Sequence, residues 1–261
     1  MTPEQEDAAV AALRALARAG ASHEALVAAS REWISGYHPV GLKAQWVYGQ
    51  CYGHPAPPGV AAEFYHQHLA SWQGFLLSAA LAEGPPDDVP EGSRGPRKLF
   101  LAWHFPEYPR WLRNARTWGL LLLVARISPW MAEVAGRDAL CNFQDPELNF
   151  AIPRALKAGR PILAMFDYCY PDSHSVVAPF LGRPARTPAG LLKLAGRFGY
   201  EVQVVSARDD RPAVLDAFDP ATLSPEESAS RANAAIEAEI RQDPPCWLLW
   251  AMADYRWQVE P

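Results

Sequence analysis

The residue with the strongest claim to chemistry is His104, in the stretch "KLFLAWHFPEYPR" (98–110). An apolar run that reads as a buried strand delivers the chain to a histidine. A turn-like "FPEYP" follows, and then a helix is expected. Imidazole is the side chain whose ordinary pKa suits proton transfer near neutrality. In open α/β sheets, ligands gather at the carboxyl ends of strands. His104 is therefore the candidate general base, with a satisfied buried histidine as the plain alternative. The other histidines are weaker candidates. His23, His66 and His68 fall in helical patterns, where packing or surface roles are expected. His38 and His54 sit beside prolines, and His174 in "PDSHS" follows Asp172 in a loose pairing.

The elements that must position His104 follow from periodicity. "QEDAAVAALRALARAG" and "SHEALVAASREWISGY" read as helices ending at Gly20 and Gly36, the second capped by Ser22. Residues 57–84 read as a longer helix with Phe64, His68, Trp72 and Phe75 on one face. "PPDDVPEGSRGPR" (85–97) is the clearest loop. Beyond it, strand and helix alternate: a strand at "KLFLAWHF", a helix over 110–125, a short strand at "RDALCNF", a helix-like "PELNFAIPRALKAG", and a strand "RPILAMFDY" ending at Asp167. "SVVAPFLG" reads as another strand. "TPAGLLKLAGRFG" reads as a helix with Thr187 as cap and Pro188 in the first turn. "YEVQVVSARD" is a strand, and a long helix starts from a Ser224/Glu227 capping box. Such alternation predicts an α/β fold, a central mixed sheet flanked by helices with an N-terminal helical extension. The expected division is 1–84 for the helical region packed on the core and 98–257 for the α/β core, together one compact domain.

Composition narrows the chemistry. The 261 residues carry a net charge of −5, which gives no reason to expect nucleic acid. Arginines cluster at 110–126 and 183–197, which suits a local anionic ligand as well as a solvated surface. The four cysteines (51, 141, 169 and 246) form no CxxC pair, so free thiols are expected, with neither a metal site nor a disulfide framework. The N-terminus "MTPEQEDAAV" does not resemble a signal peptide. The longest uncharged apolar stretch near the middle, "TWGLLLLVA", has nine residues, against about 20 for a membrane span. GxSxG, P-loop, GxGxxG and HExxH motifs are absent. The ten Trp suggest wide apolar surfaces, either core or a greasy pocket.

One segment is more specific. "APFLGRPARTPAGLLKLAGRFGYEVQVV" (178–205) resembles the lysophospholipid acyltransferase superfamily, in particular its lipid A lauroyl/myristoyl acyltransferase branch. "IPRALKAGRPILAMFDY" upstream and "EESASRANAAIEAEIRQDPPCWLLWAMADYRW" downstream resemble the same branch more loosely, so the likeness spans roughly 98–257. The resemblance implies an acyltransferase-like fold. It also implies chemistry at a His-x4-Asp/Glu motif, in which His deprotonates an acceptor hydroxyl that attacks an acyl thioester, and the acid orients the imidazole. "HFPEYP" aligns with that motif through His104 and Phe105, but Pro109 stands where the acid belongs. Glu107, or Asp167 from a neighbouring strand, could supply the carboxylate; an acceptor needing less activation is a third solution.

By the same resemblance Arg126 is a candidate for a substrate phosphate or carbonyl. Arg183 and Thr187 are candidates for an anionic part of the donor, assisted by a helix start. The expected partners are an acyl carrier protein or acyl-CoA donor, and a small-molecule or lipid acceptor. No metal or redox cofactor is expected. The acidic carrier could dock on the 110–126 arginines, and "TWGLLLLVA" could line an acyl groove. The membrane-anchoring segment typical of the branch is not seen, so a soluble, cytoplasmic enzyme on a diffusible acceptor is expected, with natural product biosynthesis as its setting and peripheral membrane association as an alternative. The rival readings are a catalytically degenerate acyl- or carrier-binding member of the fold and a thioester hydrolase.

Overall fold

The computed structural model describes residues 1–37, 44–83, 92–143, 148–169, 174–208 and 211–257. His38, Asp172 and most of the 85–97 loop lie outside these. Four helices come first: α1 (Pro3–Arg18), α2 (His23–Ser35), α3 (Ala44–Tyr52) and α4 (Val60–Ala80). Thr2 and Ser22 cap α1 and α2 through their hydroxyls, Thr2 in a full capping box. α3 lies in a stretch from which the sequence pattern predicts no element. α1 and α2 both pack on α4, and α4 packs on the first helix of the core.

The core then runs β1 (Lys98–Ala102), α5 (Tyr108–Trp118), β2 (Leu121–Val124), α6 (Pro129–Ala135), β3 (Leu140–Asn142), α7 (Leu148–Lys157), β4 (Ile162–Met165), β5 (Ser175–Phe180), β6 (Arg183–Pro188), α8 (Gly190–Arg197), β7 (Glu201–Arg208), β8 (Arg211–Phe218), α9 (Pro225–Gln242) and α10 (Asp254–Trp257). The main sheet has the order β3-β2-β4-β1-β7-β8, parallel except for the antiparallel β7–β8 pair. This is the expected mixed α/β sheet. The buried residues of β1, β2 and β4 read as unbroken apolar runs because helices cover both faces of a parallel sheet. Each fully buried Leu or Phe there contributes roughly 1.5–3 kcal/mol. The C-terminal ends of β2, β4 and β1 lie side by side, and the candidate site forms there. No helix among the described residues is long and apolar enough to cross a membrane.

Three sequence expectations need correction. Residues 110–125 are not one helix: α5 stops at Trp118, Gly119 takes a left-handed conformation (φ 64°), and Leu121–Val124 is strand β2. Glycine at that position ends a helix at little steric cost. Thr187 and Pro188 do not cap a helix; both belong to β6, and α8 begins at Gly190 after Ala189. Strand β8 was not anticipated.

β5 and β6 form a separate antiparallel hairpin. Its two-residue turn, Leu181–Gly182, has both φ values positive (51° and 74°), the geometry that matches strand twist. Leucine pays about 1–2 kcal/mol in that region. The Leu181 N–H donates to Glu237 Oε2 at 2.6 Å, which ties the turn to α9.

Candidate active site

His104 stands two residues past the end of β1, and Asp167 two residues past the end of β4. The parallel register pairs Ala102 with Met165, so the same step brings residues 104 and 167 together. The ladder continues beyond the strands, since the Phe166 N–H donates to the Ala102 carbonyl at 2.8 Å. The result is a double contact. Asp167 Oδ1 lies 2.8 Å from His104 Nδ1, and Oδ2 accepts the His104 backbone N–H at 2.8 Å. The Trp247 indole N–H donates to the same Oδ2 at 2.8 Å. Asp167 is fully buried. Burial alone would raise its carboxyl pKa, but the facing imidazole and the three hydrogen bonds outweigh it and hold the carboxyl below its ordinary value.

An ionised Asp167 accepts from Nδ1–H, so the neutral imidazole carries its lone pair on Nε2. The His104 side chain is 26% exposed, and it lines a cavity of about 350 Å³. The other walls are apolar: Leu123 and Ala125 at the end of β2, Met165 and Tyr168 around the end of β4, Phe143, Pro188, Leu249 and Met252. The last two follow Trp247 in a segment held from two sides. The Leu248 N–H donates to the His104 carbonyl at 2.9 Å. The buried His68, its pKa lowered to about 4 by burial, has Nδ1 2.9 Å from the Pro245 carbonyl. His68 thus has the packing role expected of it.

The other candidates lie elsewhere. Glu107 does not meet the imidazole; it faces a separate cleft with Ser71, Gly74 and Asp243. Of the two carboxylates weighed for His104, the structure brings Asp167 to it. Arg126 is held by Asp7, through a short contact and a second at 3.3 Å, and by the Pro3 carbonyl at 3.2 Å. Arg183 is exposed and lies over the Trp257 ring, 5.0 Å from its centroid. It is five strand positions from Pro188 at the cavity, about 16 Å along β6. Thr187 is buried. It donates to the Ala185 carbonyl and accepts from Asn233 Nδ2 at 2.9 Å and Arg256 Nη2 at 3.2 Å. The helix start that was to assist it is taken: the Ala189 and Gly190 N–H groups donate to the His174 carbonyl. Among the described residues, no group of three or more His, Cys, Asp or Glu is placed to hold a metal ion.

Three neighbours of the site were not singled out from sequence: Trp247, Tyr108 and, by its charge, Glu6. The Tyr108 ring meets His104 edge-on at 5.7 Å. Burial, then the charges of Glu6 and Asp167, push its phenol well above its ordinary pKa. Trp247 had a faint signal in the "CWLLW" ending. Glu6 had none, because an acid in a first helical turn reads as a partner of the helix dipole.

A model of the bacterial lipid A biosynthesis acyltransferase family matches residues 144–257. The match spans somewhat less than half of the chain. The matched segment supplies Asp167, the β5–β6 hairpin, α9 and Trp247, whereas His104 precedes it. No curated protein matches the chain. The matched segment is thus similar to enzymes that use an acyl donor and an acyl acceptor.

Proposed function

We propose that the chain moves an acyl group from a carrier-protein or coenzyme A thioester to a hydroxyl or amine acceptor, with His104 as general base and Asp167 as its orienting acid. The observation that carries this reading is the buried Asp167 carboxylate, which grips both Nδ1 and the backbone N–H of His104 at 2.8 Å beside an apolar cavity. The acyl chain occupies that cavity. As the acceptor oxygen or nitrogen bonds to the thioester carbon, its proton passes to Nε2. The imidazolium so formed is stabilised by Asp167 and returns the proton to the leaving thiolate. Asp167 takes the part that the acid at position 109 has in the family motif. An acid from the next parallel strand serves as well as one five residues downstream, because only its position against Nδ1 matters.

The test is release of free thiol from a panel of acyl thioesters, with mass spectrometry of the acceptor. Wild type is expected to release thiol and acylate an acceptor, and His104→Ala and Asp167→Asn to lose both. Equal rates in wild type and His104→Ala would refute the base assignment. Release without any acylated product would make the chain a thioester hydrolase. No release with any thioester would favour a binding protein of the same fold.

A further inference from the structure

The indole N–H groups of this chain meet different fates. Those of Trp72, Trp103 and Trp118 are buried with no hydrogen-bond partner among the described residues. Those of Trp111, Trp250 and Trp257 donate to backbone carbonyls, and that of Trp130 to Glu6 at 3.3 Å. Trp247 differs: its ring is wholly enclosed, and its N–H reaches a fully buried carboxylate, Asp167 Oδ2, at 2.8 Å. The ring meets Phe180 edge-on at 5.4 Å and Trp250 at 4.6 Å, which fixes its plane. Asp167 divides its oxygens between two tasks. Oδ1 serves His104 Nδ1, while Oδ2 takes two N–H groups, that of Trp247 and that of the His104 backbone. The next residue, Leu248, donates its N–H to the His104 carbonyl at 2.9 Å. Residues 247 and 248 thus hold the acid and the turn that carries the base.

Resting on the acyl-transfer reading, we infer that Trp247 is a positioning residue of the reaction, whose indole N–H fixes the Asp167 carboxylate so that His104 keeps its proton on Nδ1 and its lone pair on Nε2. The torsion that turns a carboxylate is broad and lacks sharp staggered minima. Two N–H groups on one oxygen hold it, whereas the His104 amide alone leaves a single pivot. A carboxylate that swings off Nδ1 frees the neutral imidazole to take its other tautomer, with the proton on Nε2. That form cannot receive the acceptor's proton at the cavity. The indole also acts on charge. Burial disfavours the ionised Asp167 carboxyl, and the His104 charge, the hydrogen bonds from His104 and the one from Trp247 oppose it. A hydrogen bond to an ionised acceptor is roughly twice as strong as one between neutral groups.

Trp247→3-benzothienylalanine puts sulfur in place of the N–H and keeps the shape of the ring. Trp250→Phe is the packing control, because the Trp250 N–H serves the Pro244 carbonyl. With decanoyl-CoA as donor, we expect the benzothienyl variant to lower kcat for thiol release by about tenfold or more, with KM within about twofold. Trp250→Phe should stay within about twofold per folded molecule. An unchanged kcat in the benzothienyl variant, or an equal loss in Trp250→Phe, overturns the inference. Nitrogen-15 NMR of the His104 imidazole needs no turnover and separates this inference from the acyl-transfer reading. Wild type should show the neutral ring with its proton on Nδ1, and the benzothienyl variant a mixture of the two tautomers. One and the same tautomer in both proteins overturns the role of Trp247, whether or not any thioester is turned over.

Discussion

The acyltransferase-like core buries two polar networks a short distance apart, and they differ in one respect. In the first, Asp167 gathers His104 and Trp247. In the second, Asn233 donates to Thr187 and the Pro179 carbonyl, Arg256 donates to Thr187 and Asn233, and the Arg256 guanidinium lies over Phe180 at 4.0 Å. Thr187, Asn233 and Arg256 are all buried, and burial lowers the Arg256 pKa to about 10. The second network is enclosed and joins the β5–β6 hairpin to α9 and α10, with Arg256 Nε and Nη1 buried without a hydrogen-bond partner among the described residues. The first ends in an imidazole that borders a cavity. A buried polar network in which every member is enclosed is architecture. One that leaves a single titratable edge open is equipped for chemistry. The segment with the most specific family likeness, around Arg183 and Thr187, builds the enclosed network, while the open one depends on an aspartate that lies in the looser upstream likeness.

The largest effect should come from the open edge. His104→Ala should lower thiol release by about 10²–10⁴-fold per folded molecule. Asp167→Asn should lose a comparable factor or somewhat less, and it should also unfold more easily, because three donors lose a charged acceptor. Parallel rate and denaturation measurements check both. Thr187→Val should show the reverse pattern: about 1–3 kcal/mol of stability lost, with the rate per folded molecule within about twofold. A large rate loss in Thr187→Val with stability intact would abolish the contrast between the networks.

Two carboxylates sharpen the comparison through pH. Asp167 holds its proton less tightly when folded than the ordinary value of 3.8. Its ionisation thus favours the fold, and this contribution is present above 3.8 and lost as pH falls through the lower folded value. Glu6 is raised above 4.5, by burial first, against Arg126, Trp130 and His104. Its ionisation costs stability at neutral pH, and the cost disappears as pH falls through the raised value. Asp167→Asn should therefore lower the melting temperature at pH 7 and Glu6→Gln should raise it, with both differences shrinking in acid. The smallest effect is expected for Glu107→Gln, which should leave thiol release unchanged within about twofold, because Glu107 faces a different cleft.

Much of this arrangement was legible in the sequence. β1 and the placing of His104 at its end followed from an unbroken apolar run before a turn. The long helix after Ser224 followed from its capping box. β2 was lost inside a presumed helix because Leu suits both elements, and Gly119 was the signal that separated them. Thr187–Pro188 mimicked a helix start, and only pairing with Ser175 and Val176 across the hairpin shows it to be strand. Asp167 could be suspected at a strand end but not assigned, because a contact between neighbouring parallel strands is set by sheet order and register, which local spacing does not encode. Glu6 meets Trp130 through the packing of α1 on α6, a tertiary fact without sequence periodicity.

The turn that carries His104 is pinned at three successive backbone groups. The His104 N–H is taken by Asp167, its carbonyl by the Leu248 N–H, and the next N–H by the Trp103 carbonyl at 3.0 Å. Loops ordinarily exchange their amide hydrogens fast, through small local openings. This one cannot open unless the ends of β1 and β4 and the Trp247 segment part together. The His104 amide should then exchange with solvent deuterium as slowly as a central strand. Its protection would record how seldom the base loses its aim in the resting protein.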